Sequence, residues 1–254
     1  MIGVYDSGIG GLSVWKELVA LMPEQDYVYV ADSSHCPYGS KSPDFIVARA
    51  CAVTDFLMGK NAEAVVVACN TATAAAISYL RSHYPVPFVG MEPAVKPAVQ
   101  ASRTGVVGVL ATANTFKGSL YHDTVLRYAS GVRIIEKVGL GLVEAVERGE
   151  VPSELIRRYV GEMTEEGADV IVLGCTHFPF LQPEIEAAAG QAVRIINPAP
   201  AVALQTRRIV RGTSPCRVPP VRDFYSTGDI TVLRRTVLDM DPSLDAEHFH
   251  PINI

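Results

Sequence analysis

The sequence predicts an α/β protein of two pseudo-symmetric α/β domains with mostly parallel sheets and a candidate active site in the cleft between them. Two segments carry this prediction, AVVVAC at 64–69 and DVIVLGC at 169–175. Each is an apolar, β-branched run typical of a buried parallel strand. Each ends at a cysteine followed by polar residues, where open α/β sheets bind ligands. We therefore expect Cys69 and Cys175 to face one small ligand.

Strands and helices alternate through the first half of the chain. Pro43 stands where the first turn of a helix tolerates proline, so a helix is expected from there. The segment MEPAVKPAV at 91–99 is rich in proline and is a candidate crossover between domains. The predicted strands are 2–6, 27–30, 64–68 and 88–89, and the predicted helices are 12–22, 43–58 and 70–83.

The same alternation restarts near Gly105 and continues to the end of the chain. The segment GTSPCRVPPV at 212–221 is the clearest linker signal in the sequence. Because this linker comes late, the strand and helix after it are expected to return to the first half. The predicted strands are 105–110, 132–136, 169–173, 193–196 and 223–226, and the predicted helices are 116–128, 140–147, 152–166, 198–210 and 230–238.

Equivalent positions in the two halves keep an almost constant separation. Asp6 and Ala111 lie 105 residues apart, and Cys69 and Cys175 lie 106 residues apart. A constant offset favours a duplicated α/β unit, although any two α/β halves resemble each other at this level of detail. The predicted domains are 1–94 plus 213–254, which carries Cys69, and 95–212, which carries Cys175.

Composition and charge narrow the class of protein. The chain has 254 residues, 48% of them hydrophobic, and a formal net charge of −5. With no basic tract, we expect neither a nucleic-acid nor a membrane partner. The amino terminus lacks a charged or long apolar leader, and no apolar run matches a membrane-spanning helix, which favours the cytoplasm. Five widely spaced cysteines, without CxxC or HxxxH spacing, predict neither a disulfide framework nor a zinc site.

Three titratable side chains near the strand ends could assist the thiols. His177 follows Cys175 by two residues and could set the proton affinity of that thiol; it could equally face solvent or cap a loop. Asp6 and Asp32 end predicted strands. There they could hold a proton near Cys69, or simply cap a helix or turn.

The remaining cysteines and the threonines have two interpretations. A free cysteine is most often a small buried apolar residue, and Cys51 and Cys216 keep that interpretation. Cys36 could line the cleft without reacting. The threonines at or near predicted helix starts could cap their helices, or their helix N-termini could together bind a substrate carboxylate. These threonines are Thr71, Thr112, Thr115 and Thr176.

The glycine-rich turn DSGIGG at 6–11 also suggests a dinucleotide site. Asp32 has roughly the ~20-residue spacing of the acid that binds ribose in such sites. The match fails in detail, because Ser13 occupies the position of the third glycine and Asp6 would repel a pyrophosphate. Nucleotide binding is therefore the weaker interpretation.

A series of motifs along almost the whole chain resembles the glutamate racemases of the cofactor-independent aspartate/glutamate racemase superfamily. Each motif alone has little specificity, whereas all of them in this order and at these spacings are highly specific. The motifs are DSGIGG at 6–11, ADSSHCPYG at 31–39, ACNTAT at 68–73, GMEPAVKPA at 90–98, ATANT at 111–115, VERG at 146–149 and GCTHFP at 174–179.

The resemblance implies a role for each matching residue. Cys69 and Cys175 would be the catalytic thiol pair, Asp6 and His177 their acid/base helpers, and Glu147 would lie near His177. No metal and no cofactor are implied. The residues implied to bind the amino-acid substrate, some through backbone groups, are Asp6, Ser7, Tyr38, Gly39, Asn70, Thr71, Thr112, Thr115, Thr176 and His177.

The implied activity is cofactor-independent racemisation of L-glutamate to D-glutamate, a peptidoglycan building block, in a cytoplasmic homodimer. Two alternatives remain: an aspartate racemase, with the same chemistry on a shorter acid, and a non-catalytic α/β ligand-binding protein with inert cysteines. The chain departs from the family pattern at Gly118, where serine is common. It also departs at 138–140, where Cys-Pro often precedes VERG, and this second departure bears on the placement of Glu147.

Overall fold

Ten strands form two sheets in residues 1–210 and 219–254, which are the residues that this computed structural model describes. All neighbouring strands are parallel. Parallel strands covered by helices on both faces require the continuous apolar runs seen in the sequence. The strands are β1 (Ile2–Asp6), β2 (Tyr27–Ala31), β3 (Ala64–Val67), β4 (Phe88–Gly90), β5 (Val106–Ala111), β6 (Arg133–Val138), β7 (Val170–Gly174), β8 (Arg194–Ile196), β9 (Arg222–Ser226) and β10 (Phe249–Pro251).

Helices connect successive strands of each sheet. One begins after Ser42, whose Oγ accepts a hydrogen bond from the Phe45 N–H at 3.3 Å, with Pro43 in its first turn as predicted. The helices are α1 (Leu12–Leu21), α2 (Pro43–Gly59), α3 (Asn70–His83), α4 (Val95–Ala101), α5 (Ala113–Lys117), α6 (Ser119–Tyr128), α7 (Leu142–Glu147), α8 (Ser153–Glu165), α9 (Gln182–Ala189), α10 (Ala199–Ile209) and α11 (Ile230–Met240).

The two sheets repeat one strand order. The first runs β10-β9-β2-β1-β3-β4 and the second runs β6-β5-β7-β8, so β2-β1-β3-β4 and β6-β5-β7-β8 are equivalent. Cys69 lies two residues after β3, and Cys175 lies directly after the equivalent strand β7. The predicted fold class, two pseudo-symmetric α/β units with parallel sheets, is confirmed.

The end of the chain returns to the first sheet, as predicted. Strand β9 pairs with β2, with Phe224 opposite Tyr29. The short edge strand β10 was not predicted from the sequence. Residues 212–218 of the predicted linker at 212–221, among them Cys216, lie outside the described residues. The domain boundaries themselves stay a prediction.

The two halves share a continuous apolar core. Helix α10, from the second half, packs on α1 of the first half. The buried residues Trp15 in α1, Val143 in α7 and Val202 in α10 belong to the same cluster. The halves are therefore held together by apolar burial around the cleft as well as by the polar contacts within it.

Two predicted helices differ from the structure, and glycine explains both differences. The predicted helix 116–128 is wrong as a single element, because Gly118 has an extended ψ of 134° and separates α5 from α6. A Cβ on Gly118 would lie 2.8 Å from Ala74 Cβ, so the chain can pass α3 closely only at glycine. Helix α7 begins at Leu142 rather than at 140, because Gly141 is left-handed with φ 82°. Helices α4 and α9 were not predicted.

Helix length and composition also bear on membrane insertion. In the described part of the chain, no helix is long and apolar enough to cross a membrane.

Candidate active site

A buried carboxylate ends the first strand. Asp6 is fully buried, and its Oδ1 and Oδ2 accept hydrogen bonds from the backbone N–H groups of Ser7 at 2.8 Å and Gly11 at 2.6 Å. The Thr176 hydroxyl, from the second half, donates to Oδ2 at 3.1 Å. Burial raises the pKa of Asp6, although His177 nearby opposes the shift. Asp6 thus joins the two halves and holds a proton more readily than an exposed aspartate.

The first thiol stands at the start of a helix. Cys69 is the N-cap of α3, and its Sγ accepts a hydrogen bond from the Ala72 N–H at 3.4 Å. Its Sγ also lies 3.9 Å from Ser7 Oγ. Burial raises the pKa of Cys69 well above its ordinary value, and the negative charge of Asp6 raises it further, against the effect of the Ala72 hydrogen bond.

The second thiol has an imidazole as its neighbour. Cys175 Sγ lies 3.7 Å from Nδ1 of His177, and Nε2 of the same ring lies 2.6 Å from Glu147 Oε1. That carboxylate oxygen also accepts from the Ile9 N–H at 2.8 Å, across the interface between the halves. Cys36 Sγ lies 3.6 Å from the same Glu147 oxygen. The sequence thus brings four side chains together from positions 36, 147, 175 and 177.

The imidazole and its carboxylate stabilise each other as an ion pair. Burial disfavours the charged form of His177, but its hydrogen bonds with Cys175, Cys36 and Glu147 raise its pKa well above the ordinary value. Burial likewise opposes ionisation of Glu147, but the contact with His177 lowers its pKa. The contacts on the Cys175 side of the cleft therefore favour the protonated form of the His177 ring and raise its pKa.

Hydroxyl groups bridge the cleft on another side. Thr71 Oγ1 in α3 lies 2.9 Å from Thr112 Oγ1, which lies 2.9 Å from Thr115 Oγ1 in the second half. Asn70 donates from Nδ2 to the Met91 carbonyl at 3.3 Å. Its Oδ1 is buried and has no hydrogen-bond partner among the residues that the structure describes. A buried acceptor of this kind at a cavity wall is available to a bound ligand.

The loop at 36–41 is held by Asp32. Tyr38 donates its hydroxyl to Asp32 Oδ2 at 2.5 Å, and Arg49 donates to both carboxylate oxygens at 2.8 and 2.9 Å. Asp32 is fully buried; burial alone would raise its pKa, but these partners, with His35 and Thr227, lower it. The sequence left Asp32 as either a helix or turn cap or a carboxylate that holds a proton near Cys69; its side chain makes no capping hydrogen bond with the short helix at 33–35. Asp32 is an ionised anchor for the cavity-lining loop.

The two thiols line one small cavity of about 10 Å³. This volume holds about one water molecule and no amino acid. A larger pocket of about 610 Å³ lies outside it and shares Gly39 and Thr71 with the cavity wall. The cavity lining is Ser7, Pro37, Tyr38, Gly39, Cys69, Asn70, Thr71, Thr112, Val143, Cys175, Thr176 and His177.

Comparison with known proteins identifies the family of this chain. The model of the Asp/Glu/Hydantoin racemase family matches residues 7–206, from the glycine-rich turn to α10. The chain belongs to this family. It is therefore an isomerase, and the resemblance inferred from the motifs is confirmed at the level of the family.

Individual members of the family match over nearly the whole chain. A glutamate racemase of Roseiflexus sp. (strain RS-1) is 50% identical over 215 residues, covering 83% of this chain and 79% of the relative. One from Methylococcus capsulatus is 46% identical over 250 residues, covering 96% and 92%. The crystal structure of Escherichia coli glutamate racemase with L-glutamate and the activator UDP-MurNAc-Ala has a TM-score of 0.89 and 30% identity, covering 99% and 97%.

Most of the residues predicted for this racemase from its motifs meet at the cavity. Asp6, Glu147 and Thr115 do not line the cavity. Asp6 accepts a hydrogen bond from the lining residue Thr176, and Glu147 contacts the lining residue His177. Thr115 contacts the lining residue Thr112. Glu147 nevertheless lies beside His177 although Cys-Pro is missing ahead of VERG. The lining residues Pro37 and Val143 were missed, because an apolar wall carries no chemical signal in the sequence.

Proposed function

We propose that this racemase interconverts L-glutamate and D-glutamate, with Cys69 and Cys175 as the acid/base pair. The observation that carries the proposal is that two thiols from equivalent strand ends line the same cavity. Inversion at Cα needs a base on one face of the substrate and an acid on the other. Two thiols at related positions in two pseudo-symmetric halves provide such an arrangement.

The reaction exchanges the protonation states of the two sulfur atoms. One thiolate removes the α-proton and becomes a thiol, and the electron pair stays on Cα. The opposite thiol then gives its proton to the other face of Cα and becomes a thiolate. The reverse reaction starts from the thiolate thus formed, and this sequence of proton transfers requires no redox change and no cofactor.

The thiols alone do not account for the rate. General acid–base catalysis contributes about 10²–10⁴-fold, so the carbanion must also be stabilised by positioning and electrostatics. Helix α3 begins at the cavity with Asn70 and Thr71, and its free N–H groups and dipole favour a substrate carboxylate there. The buried Oδ1 of Asn70 is an acceptor for the substrate ammonium group.

The polar neighbours assist one thiol each. Asp6, with its raised pKa, holds or supplies a proton near Cys69. His177, fixed by Glu147, does so for Cys175. We assign Ser7, Tyr38, Gly39, Thr71, Thr112, Thr115 and Thr176 to substrate binding on the family motifs, Thr115 through its contact with Thr112.

Substrate entry requires the cavity to open. The site as it stands admits about one water molecule, so the walls formed by the two halves must separate before glutamate binds. The outer pocket reaches the cavity wall at Gly39 and Thr71, and it carries Lys41 and Lys117. Two ammonium groups at this entrance attract a substrate with two carboxylates.

The cellular role follows from the proposed activity. We propose that the protein supplies D-glutamate for peptidoglycan from the cytoplasm and acts as a homodimer, as the family resemblance implies. Light scattering coupled to size-exclusion chromatography tests the dimer. A mass equal to one chain at the concentration of the activity assay would contradict it.

Circular dichroism of L-glutamate incubated with the purified, reduced protein tests the activity. We expect the glutamate signal to decay to zero without added cofactor, while L-aspartate in a parallel sample stays unchanged. Decay with aspartate but not with glutamate would identify an aspartate racemase. A constant signal with both amino acids, together with saturable binding of glutamate, would favour a non-catalytic binding protein.

A further inference from the structure

Three metal-binding side chains meet beside the Cys175 side of the cleft. Cys36 in the loop after β2, Glu147 at the end of α7 and His177 after β7 place one ligand atom each within 4.8 Å of the others. Cys36 Sγ lies 3.6 Å and His177 Nε2 lies 2.6 Å from Glu147 Oε1. The racemisation proposed above uses His177 and Glu147 but gives Cys36 no role.

The three groups have the chemistry and spacing of a zinc site. Thiolate, imidazole and carboxylate are the usual protein ligands of Zn²⁺, and tetrahedral coordination separates neighbouring ligand atoms by about 3.3–3.6 Å. The sulfur–oxygen distance between Cys36 and Glu147 already has this value. The nitrogen–oxygen distance between His177 and Glu147 has to widen by about 0.7 Å from its hydrogen-bonded value.

The surroundings also orient the ligands. The Ile9 N–H donates to Glu147 Oε1, and Cys175 Sγ lies next to His177 Nδ1, so the Nε2 of that ring is directed towards Cys36 and Glu147. Such contacts behind the ligands are typical of metal sites. Three protein ligands leave a fourth position for water, whereas structural zinc sites have four protein ligands.

We propose that Cys36, Glu147 and His177 form a reversible inhibitory site for Zn²⁺ or a similar thiophilic divalent cation. Binding removes the proton from the Cys36 thiol and from His177 Nε2 and replaces both with the metal. The imidazole then keeps only its Nδ1 proton, facing Cys175, and can no longer be the proton reservoir for that thiol. The inhibitory part rests on the proposed role of His177, whereas metal binding does not.

Spectroscopic titration with Co²⁺ tests binding without turnover. We expect the metal-free protein to develop thiolate-to-cobalt charge-transfer absorption, which added Zn²⁺ abolishes by displacement. Cys36→Ser removes this absorption, while Cys51→Ser keeps it, because Cys51 is the half-buried thiol of α2 and belongs to no such cluster among the described residues. Glu147→Gln is a second variant, for which only Co²⁺ binding is measured. We expect it to bind Co²⁺ more weakly than the wild type. Thermal unfolding of each variant verifies its fold.

Racemisation assays with increasing Zn²⁺ test the inhibition. We expect the half-inhibitory Zn²⁺ concentration to rise at least about tenfold in Cys36→Ser and to stay unchanged in Cys51→Ser, with full recovery after chelation. Cobalt absorption or zinc inhibition that is unchanged in Cys36→Ser would place the metal on the catalytic thiols and overturn the proposal. Absence of Co²⁺ binding by folded wild-type protein would also overturn it. Because Co²⁺ binding is measured without substrate, failure of the metal-site proposal can be distinguished from failure of the racemase mechanism.

Discussion

The two sides of the cleft share one strand order but differ in their proton chemistry. On the Cys69 side the nearest ionisable neighbour is the carboxylate of Asp6, which, with burial, raises the pKa of the thiol. On the Cys175 side the neighbour is His177, whose own pKa is raised by Cys175, Cys36 and Glu147 against its burial. One thiol therefore lies beside a carboxyl group whose pKa is raised, and the other lies beside an imidazole whose pKa is raised.

The two carboxylates also bind across the cleft in a reciprocal way. Asp6 of the first half accepts a hydrogen bond from Thr176 of the second, and Glu147 of the second half accepts one from Ile9 of the first. Each helper is thus oriented by the opposite half. A duplicated fold can in this way place equivalent thiols at one cavity while giving each a different polar neighbour.

The largest expected effect comes from removing either thiol. Cys69→Ser and Cys175→Ser should each lower kcat for racemisation at least about 10³-fold, because a hydroxyl is a much weaker acid than a thiol and the reaction needs both faces. Polarimetry with L-glutamate and with D-glutamate measures both directions. Cys51→Ser, in α2 and away from the cavity, is the matched control and should be unaffected. Near wild-type rates in both active-site variants would refute the two-thiol mechanism.

A smaller effect comes from adding a methyl group beside His177 and Thr176. A Cβ on Gly10 would lie 2.4 Å from His177 Nδ1 and 2.7 Å from Thr176 Oγ1, and both side chains are buried. Gly10→Ala should therefore displace the ring from Cys175 and destabilise the fold by about 1–3 kcal/mol. Chemical denaturation measures the loss. We expect kcat to fall, because the His177 ring moves away from Cys175 and Thr176 is displaced from Asp6, whereas Cys69 keeps its contacts with Ala72 and Ser7.

Gly59→Ala is the control for this substitution. Gly59 ends α2, and an added Cβ there would meet nothing within 4 Å. Alanine in the helix should leave kcat unchanged and add up to about 1 kcal/mol of stability. Equal stability and activity losses at the two positions would mean that contact with His177 is not the cause.

The sequence predicts most of the fold because its strands are continuous apolar runs that are buried on both faces. It also identifies both thiols as candidate site residues, because each follows such a run. It does not reveal the break at Gly118, since the restriction there is a close approach to Ala74, distant in the sequence. The edge strand β10 is also missed, because its partner β9 lies 25 residues earlier and its three residues carry little apolar pattern.

The supporting contacts of the site are the part least accessible from sequence. From the sequence, Asp32 is a candidate cap or a candidate ribose-binding acid. Its partner in the structure is Arg49, which lies 17 residues away in α2. Cys36 and Glu147 meet over 111 residues of chain. Spacing rules for zinc ligands do not reveal the cluster of Cys36, Glu147 and His177, because they describe ligands within one loop or helix rather than residues from two separate loops and the end of α7. The motif VERG indicated Glu147 only through the family resemblance.

The smallest expected effect concerns the His177–Glu147 pair and its dependence on pH. Glu147 has its pKa lowered from the ordinary 4.5, so its stabilisation is present above pH 4.5 and is lost as pH falls through the folded pKa. His177 has its pKa raised from 6.5, so its stabilisation is present below pH 6.5 and is lost as pH rises through the folded pKa. The pair therefore stabilises the fold most between pH 4.5 and 6.5.

Glu147→Gln should cost about 1–3 kcal/mol in this window, the range for a hydrogen bond to a charged group, and less on either side of it. The difference in unfolding free energy from wild type, measured by urea denaturation across pH, should thus pass through a maximum. Glu144→Gln, on the exposed face of the same helix, should show no such maximum. A difference close to zero at every pH would mean that Glu147 acts through its Ile9 hydrogen bond alone, which glutamine can also accept, and would contradict a stabilising charge interaction between Glu147 and His177.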